Sequence, residues 1–428
     1  MASPPRVLVL GLNYPPERTG IAPYTGSMAR GLARRGFDTR VLTTHPHYPA
    51  WKVMPGYGDW SRSEQIDGVA VTRLRHYVPA LPKGLRRVLS EISFGARASL
   101  RRWGHADALV VVSPGLISSL ICTVHVRLTH RTKPLIVWVQ DLYTLGMTET
   151  GETNGFAVRV MRAMEGRLLR SADRIVVIHD RFATRVADDF GVRPERIEVI
   201  RNWTHLPPSP EVDVAASRRK FGWAPDETIV LHAGNMGVKQ GLENVVRAAR
   251  IASERGLPVR FVLLGHGAQL DHLKTLGSGL KTLEFTAPLN DADFAAALAS
   301  ADSLLVNELP GISEMAVPSK LTSYFSAGRP VVAATDLAGI TAEEIHNAGA
   351  GVVVRAGDPE SLLNAVLALA ADPSRAATLG QNGRQYRKTV LDEESAIDRF
   401  TEMLAQLVSP DDGVTNSVPP TLDTTSTI

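Results

Sequence analysis

Short runs of valine, isoleucine and leucine alternate with longer polar or amphipathic segments, and this alternation limits the fold more than any other feature. Continuous apolar runs between helices are typical of parallel strands that helices cover on both faces. The runs form two series, separated by the proline-containing stretch from Arg201 to Val214. The predicted strands are Val7–Leu10, Val41–Thr44, Val69–Arg73, Leu109–Val112, Leu135–Val139, Ile175–Ile178 and Ile197–Ile200 in the first series, and Ile229–Ala233, Val259–Leu264, Leu283–Phe285, Ser303–Val306, Val331–Ala334 and Gly351–Val354 in the second.

A chain of 428 residues is long for one hydrophobic core, so we expect two domains. The predicted class is α/β, with two Rossmann-like halves facing each other across a cleft and ligands at the carboxyl ends of the strands. We place the N-terminal domain at residues 1–205 and the C-terminal domain at residues 206–385. An apolar stripe predicts a closing helix within residues 386–408, and the Ser-, Thr- and Pro-rich residues 409–428 are predicted to be a disordered tail.

The segment around Lys320 combines a helix start, a short helix and a buried strand. Pro318 and Ser319 predict the start, and the helix is predicted to run from Lys320 to Ala327. A helix N-terminus presents unpaired N–H groups and the positive end of its dipole, so it suits a phosphate. The residues alone leave two interpretations open, an anion site or a capped scaffold helix of the kind common in α/β proteins.

Polar residues also follow other predicted strands. Gln140 and Asp141 follow the fifth strand, where a carboxylate can take a proton from a hydroxyl group, bind hydroxyl groups or cap a helix. The segment Gly234–Gly241 opens a helix, and its glycines allow a ligand to approach the backbone closely. After the sixth strand, we expect Asp180 to cap a helix and His179 to be a polar cleft residue.

The first loop, from Gly11 to Ala22, does not have the glycine spacing of the dinucleotide-binding fingerprint. This disfavours a hydride-transfer enzyme. The loop is long, which is typical of functional loops in compact domains, although a plain surface loop remains an alternative. Gly20 would allow close backbone approach within it.

The helix, the following Ala-Gly-Arg-Pro and the Val-Val-Ala strand resemble the donor-site segment of retaining nucleotide-sugar glycosyltransferases with the GT-B fold. The Pro-Ser-Lys sequence at the start of this helix resembles that of the family 4-like subgroup, whose members build exopolysaccharide and colanic acid. The similarity runs from about Val7 to about Phe400. It implies that a sugar moves, with retention, from a nucleotide diphosphate sugar to a saccharide acceptor, and that the closing helix packs back on the first domain.

The resemblance implies roles for particular residues. The broader family has an arginine where Asn235 stands and two glutamates whose positions fall on Met315 and Ser323, so the chain departs from that pattern. We expect Lys239 and Lys320 to neutralise the diphosphate, and therefore expect neither a metal nor another cofactor. The implied donor-binding residues are Gly20, Gly234, Asn235, Lys239, Gly265, Pro318, Ser319, Lys320 and Leu321, and the implied catalytic residues are Asp141, Gln140 and Glu314.

The two halves differ in charge. Residues 1–205 contain 29 Lys and Arg against 17 Asp and Glu (+12), whereas residues 206–428 contain 18 against 27 (−9), which together give the net +3. A basic half suggests an anionic partner. The segment from Lys83 to Trp103 interleaves cations with apolar residues, as a helix on an anionic membrane surface does, and a solvated helix face is the equal alternative.

We therefore expect a cytoplasmic protein at the inner face of the membrane, acting on a polyprenyl- or otherwise lipid-linked saccharide. No nucleic-acid motif was found, so a nucleic-acid partner is not expected. No signal peptide or transmembrane run is predicted, and the single cysteine, Cys122, excludes an internal disulfide. Two other functions stay open: a nucleotide-sugar epimerase of the same fold, and a peripheral membrane scaffold with a degenerate donor site.

Overall fold

The computed structural model describes residues 3–17, 20–82, 84–113, 115–144, 155–203, 212–312 and 320–408. The N-terminal domain is built on an eight-stranded sheet with the order β3-β4-β2-β1-β5-β6-β7-β8, in which only β3 is antiparallel to its neighbour. Its strands are β1 Arg6–Leu10, β2 Asp38–Thr44, β3 Ser61–Ile66, β4 Val69–Leu74, β5 Ala108–Val112, β6 Leu135–Val139, β7 Arg174–Val177 and β8 Ile197–Val199. Its helices are α1 Ala22–Arg34, α2 Leu85–Leu100, α3 Leu116–Thr129, α4 Gly155–Ser171 and α5 Asp180–Phe190.

The C-terminal domain is built on a six-stranded parallel sheet with the order β11-β10-β9-β12-β13-β14, which is the Rossmann strand order. Its strands are β9 Thr228–Asn235, β10 Val259–His266, β11 Leu283–Thr286, β12 Ser303–Asn307, β13 Val331–Thr335 and β14 Gly351–Arg355. Its helices are α6 Val214–Phe221, α7 Glu243–Glu254, α8 Leu270–Leu276, α9 Asp291–Ser300, α10 Lys320–Ala327, α11 Ile340–Ala348, α12 Pro359–Ala370 and α13 Pro373–Thr389.

The last helix, α14 Glu393–Val408, returns to the N-terminal domain and packs against α1 and β5. Phe400 is fully buried between Trp138 of β6, at 5.0 Å between ring centroids, and Trp203, at 6.3 Å. The indole nitrogen of Trp203 donates a 2.7 Å hydrogen bond to the Ser27 hydroxyl of α1. The closing helix therefore completes the N-terminal core, as the family resemblance implies.

Each predicted parallel strand is present, but β3 was missed. Its sequence, SRSEQI, alternates between exposed and half-buried residues at the edge of the sheet, so it carries no apolar run. Helix α13 was not predicted either, because its sequence is strongly polar and buries only Gly380 and Gly383. The predicted domain boundary at 205/206 and the tail 409–428 lie outside the described residues.

In both sheets the strand order reverses beside the first strand, between β1 and β5 and between β9 and β12. Loops at such switch points diverge, so the carboxyl ends of the strands leave a crevice for a ligand. Among the described helices, none is both long enough and apolar enough to cross a bilayer.

Candidate functional site

At the switch point of the C-terminal sheet, a buried side-chain amide holds two neighbouring strand ends together. The Asn307 side chain, at the end of β12, donates to the carbonyl oxygens of Gln240 (2.8 Å) and Gly241 (2.9 Å), and it accepts a 3.0 Å hydrogen bond from Asn244. The backbone N–H of Leu309 also donates to the carbonyl of Lys239 at 2.8 Å. These bonds hold the loop after β9 against the end of β12, and they fix the backbone that carries Lys239.

Lys320 is the first residue of α10, and its ammonium group lies under the same loop. Its Nζ lies 3.5 Å from Nε2 of the buried His232 on β9, and it would lie 3.8 Å from a Cβ atom built on Gly234. Burial lowers the pKa of Lys320 to about 8, although the Glu308 carboxylate opposes this shift. Burial and the Lys320 charge together lower the pKa of His232, so a neutral imidazole faces the lysine.

Two glycines of this region adopt backbone conformations or contacts that residues with a side chain rarely allow. Gly234 adopts φ 132°, and Gly265 adopts φ 134° in the neighbouring strand. A Cβ atom on Gly265 would lie 2.0 Å from the carbonyl oxygen of Gly234, so this glycine permits the two strand ends to pack together. Asn235 is exposed beside them, whereas Leu321 is a core residue that is 1% exposed.

Asp141 lies across the cleft from this loop, at the end of β6. The residue as a whole is exposed, but the surrounding protein removes enough water from its carboxyl group to raise its pKa to about 7. The Lys239 ammonium, which belongs to the C-terminal domain, opposes this increase. The structure therefore brings Asp141, Lys239 and Lys320 to the same cleft.

Gln140 exchanges two hydrogen bonds with Asn202, from Nε2 to Oδ1 at 3.1 Å and from Nδ2 to Oε1 at 2.8 Å. Its amide therefore serves a contact within the N-terminal domain. The prediction for the next strand end was wrong in detail, because His179 caps α5 by accepting a 3.2 Å hydrogen bond from the Arg181 N–H. Asp180 is the first helical residue, and its carboxylate pairs with Arg201 at 2.8 Å.

A cluster of buried histidines, which the sequence did not indicate, lies beside the first loop. His47 and His76 make an edge contact at 4.8 Å between ring centroids, and neither nitrogen of His76 has a hydrogen-bond partner. Glu17 of the first loop accepts the backbone N–H groups of His47 (2.7 Å) and Tyr48 (2.8 Å). Gly20 adopts φ 67°, and a Cβ atom built on it would lie 3.3 Å from the Tyr48 ring, so a glycine suits this position.

Three predicted site residues, Glu314, Pro318 and Ser319, lie outside the described residues. Within the described ranges, no cluster of three or more His, Cys, Asp or Glu side chains could hold a metal ion. One Asp-x-Asp triplet, Asp291 to Asp293, forms the first turn of α9, where Asp293 pairs with Lys220 at 2.5 Å. Metal independence stays a prediction.

Comparisons with known proteins agree with this architecture. Residues 19–203 match the model of the glycosyl transferase 4-like domain, and residues 227–372 match the model of glycosyl transferases group 1. The putative colanic acid biosynthesis glycosyl transferase WcaI of Escherichia coli (strain K12) is 31% identical, and the match covers 92% of this chain and 98% of that relative. A GDP-mannose-dependent phosphatidylinositol monomannoside mannosyltransferase of Mycolicibacterium smegmatis is 24% identical and covers 89% of this chain and 93% of its own length.

Solved structures confirm the fold. Sucrose-phosphate synthase from Thermosynechococcus elongatus superposes with a TM-score of 0.72 at 16% identity, covering 94% of this chain and 99% of its own. HepE from Anabaena, solved in complex with UDP, superposes with a TM-score of 0.65 at 15% identity, covering 94% of this chain and 100% of its own. The chain therefore belongs to the GT-B glycosyltransferases, with a glycosyl transferase 4-like domain followed by a group 1 domain.

Proposed function

We propose that this glycosyltransferase moves a sugar, with retention, from a nucleotide diphosphate sugar to a lipid-linked saccharide in bacterial cell-surface polysaccharide biosynthesis. The single observation that carries the proposal is the placement of Lys320. Burial lowers the pKa of this lysine to about 8, and the lysine lies beside a neutral histidine and beneath a glycine-bordered loop. An anion that binds next to it stabilises its charged form. A diphosphate at this switch point would provide that anion.

The chemistry then follows from the cleft. The bond between the anomeric carbon and the diphosphate oxygen breaks, and its electron pair leaves on the diphosphate, which Lys239 and Lys320 neutralise without a metal. The acceptor oxygen bonds to the same face of that carbon. Asp141 in its ionised form takes the hydroxyl proton, and a pKa of about 7 suits a group that must exchange a proton near neutral pH.

The relatives support the pathway and the donor class. WcaI carries the name of colanic acid biosynthesis, and the mycobacterial relative is GDP-mannose-dependent. HepE has been solved with UDP and with UDP-glucose. The mycobacterial relative and HepE agree on a nucleotide-linked donor but differ in the base, so the nucleotide panel below includes both bases.

Calorimetric titration with UDP, GDP, ADP and TDP in EDTA tests the donor site. We expect one nucleotide to bind, and we expect Lys239→Ala and Lys320→Ala each to weaken it at least about tenfold, because each removes a charge-assisted contact. Lys281→Ala is the matched control, since this exposed lysine precedes β11 at the opposite, amino end of the sheet. Absence of binding to all four nucleotides, or equal binding by the three variants, would refute the site.

Product analysis tests the reaction. Incubating the bound nucleotide sugar with the enzyme and a polyprenyl-linked acceptor should give a glycosylated lipid and free nucleoside diphosphate, with the anomeric configuration of the donor retained. Conversion of the donor to its epimer without acceptor would establish the epimerase alternative. Vesicle binding without nucleotide affinity would establish the scaffold alternative.

We also propose that α2 rests on the cytoplasmic face of an anionic membrane. Its outward residues Leu85 and Leu89 are 80% and 54% exposed, and Arg86 is exposed beside them. The structure uses some of its cations internally: Arg87 pairs with Glu91 at 3.0 Å, and Arg97 stacks on Trp60 at 3.6 Å. An exposed apolar row with nearby cations suits insertion at the headgroup level.

Sedimentation with vesicles, made with or without anionic lipid, tests this surface. The variant Leu85→Ser/Leu89→Ser should lose most vesicle binding while keeping nucleotide affinity, because the donor site lies in the other domain. Val390→Ser is the control, since it removes an exposed apolar residue at the end of α13. Equal binding by both variants, or no preference for anionic vesicles, would contradict a membrane-bound α2.

A further inference from the structure

Helix α11 belongs to the C-terminal domain but makes contacts in both domains. It packs against β13 and β14, whereas the side chain of its first residue, Ile340, lies in the core of the N-terminal domain. Two neighbouring acidic residues of α11 also reach arginines of the N-terminal domain. Glu343 pairs with Arg181 at 2.5 Å, and Glu344 pairs with Arg201 at 2.5 Å.

These two inter-domain ion pairs differ in burial. The side chains of Glu343 and Arg181 are each 32% exposed, whereas those of Glu344 and Arg201 are 2% and 16% exposed. Glu344 also accepts a 3.1 Å hydrogen bond from the Tyr386 hydroxyl. A buried pair with additional hydrogen bonds tolerates little displacement, whereas an exposed pair can be replaced by water.

The buried pair is connected to the catalytic candidate. Asn202 follows Arg201 directly and exchanges two hydrogen bonds with Gln140, the residue before Asp141. On the other side of Asp141, Glu165 accepts the backbone N–H groups of Tyr143 (2.6 Å) and Thr144 (3.1 Å). Side-chain hydrogen bonds therefore fix the strand end that carries Asp141 both before and after the carboxylate.

We propose that Glu344, Arg201, Asn202 and Gln140 are positioning residues, which hold Asp141 at its working distance from Lys239 across the cleft. The inference rests on the proposed function, because it takes these two side chains as the two sides of the reaction site. Gln140 acts here through Asn202 and makes no contact with the sugar. Small misplacements of a reacting group cost about 100-fold in rate, so such a connection affects turnover more than donor binding.

The substitution Glu344→Gln keeps the shape of the side chain and removes its charge, and Glu343→Gln makes the same change one residue away. We expect Glu344→Gln to lower kcat at least about tenfold while the dissociation constant of the nucleotide stays within about twofold. Glu343→Gln should change both quantities less than about twofold, because its half-buried pair does not connect to Gln140. Equal kcat values for the two variants would overturn the inference. A parallel loss of nucleotide affinity in Glu344→Gln would also overturn it, since the pair would then support the donor domain.

A double-mutant cycle tests the second half of the connection. Gln140→Ala and Asn202→Ala should lower kcat by similar factors, and the double variant should be no slower than the slower single variant, because either change removes the same pair. If the kcat losses of the two single variants multiplied in the double variant, and Gln140→Ala were much slower than Asn202→Ala, Gln140 would contact the sugar directly. A wild-type chain that binds no nucleoside diphosphate would refute the proposed function itself. A turning-over wild type with indistinguishable variants would refute only the positioning network.

Discussion

Replacing His76 should reduce the acid sensitivity of the N-terminal domain. The ring is 9% exposed, and burial together with His47 and His45 lowers its pKa to about 3 from the ordinary 6.5. The unfolded chain therefore binds a proton below pH 6.5 that the folded protein does not bind. The folded-state pKa of this base is depressed, so its contribution to stability is present above pH 6.5 and is lost as the pH falls toward 3. At pH 5 the loss amounts to about 1.5 pH units at about 1.4 kcal/mol each, which is roughly 2 kcal/mol.

The assay is urea unfolding at pH 7.5 and pH 5.0, followed by tryptophan fluorescence. Five of the six tryptophans precede residue 205, so this signal reports mainly on the N-terminal domain. His76→Phe keeps a ring against Phe94, whose centroid lies 6.3 Å away, and it should lose about 2 kcal/mol less than the wild type between the two pH values. His105→Phe, at a histidine 63% exposed in its side chain, should keep the wild-type dependence. If His76→Phe and the wild type lose the same free energy, the histidine is not held neutral by burial and the reasoning is wrong.

Three further predictions follow from the described contacts. Phe400→Ala should lower the free energy of unfolding by about 3–5 kcal/mol in urea titrations, because it leaves a cavity between Trp138 and Trp203; a loss below about 1 kcal/mol would mean that α14 contributes little to the core. Asp141→Asn should lower kcat at least about 100-fold, and it should raise the melting temperature at pH 8 more than at pH 5. The raised pKa of Asp141 means that its ionisation costs the folded protein stability as the pH rises through about 7. Solvent access reduces the stability that the variant gains to about 1 kcal/mol. A pH-independent difference in melting temperature would contradict this. Gly265→Ala should lower stability by about 1–3 kcal/mol and weaken nucleotide binding, since the new methyl group meets the Gly234 carbonyl; unchanged thermal unfolding and calorimetry would show that the strand ends can separate.

The fold could be predicted because the apolar runs in the sequence mark the buried strands of the two sheets. Parallel strands buried on both faces are continuous in sequence, and each such run became a strand of one of the two sheets. The stripe that includes Ile397, Phe400 and Met403 predicted α14 for the same physical reason, since these residues face the N-terminal core. The edge strand β3 and the polar helix α13 bury few side chains, so hydrophobic pattern could not reveal them.

The candidate site could be predicted only in part. The pattern of apolar runs placed Asp141 after a strand, and topology brings the carboxyl ends of parallel strands to one edge, whereas Lys239 was expected from the family resemblance. Sequence could not show that His232 lies under Lys320, since a histidine inside an apolar strand looks like any buried residue. Sequence also could not show that the Gln140 amide is hydrogen-bonded to Asn202, because the two residues are 62 positions apart.

The two sides of the cleft share one electrostatic principle. In the C-terminal domain, burial lowers the pKa of Lys320 toward neutrality, and in the N-terminal domain, burial raises the pKa of Asp141 toward neutrality. Each shift has the same cause, which is the removal of water from a group that would otherwise stay charged. A bound diphosphate would restore the lysine charge, and the added negative charge would hinder ionisation of the aspartate. Catalysis therefore sets a geometric requirement: Lys239 must lie close enough to keep Asp141 ionised while the diphosphate is present. This is the reason that a buried inter-domain pair, connected to the strand end of Asp141, affects chemistry more than binding.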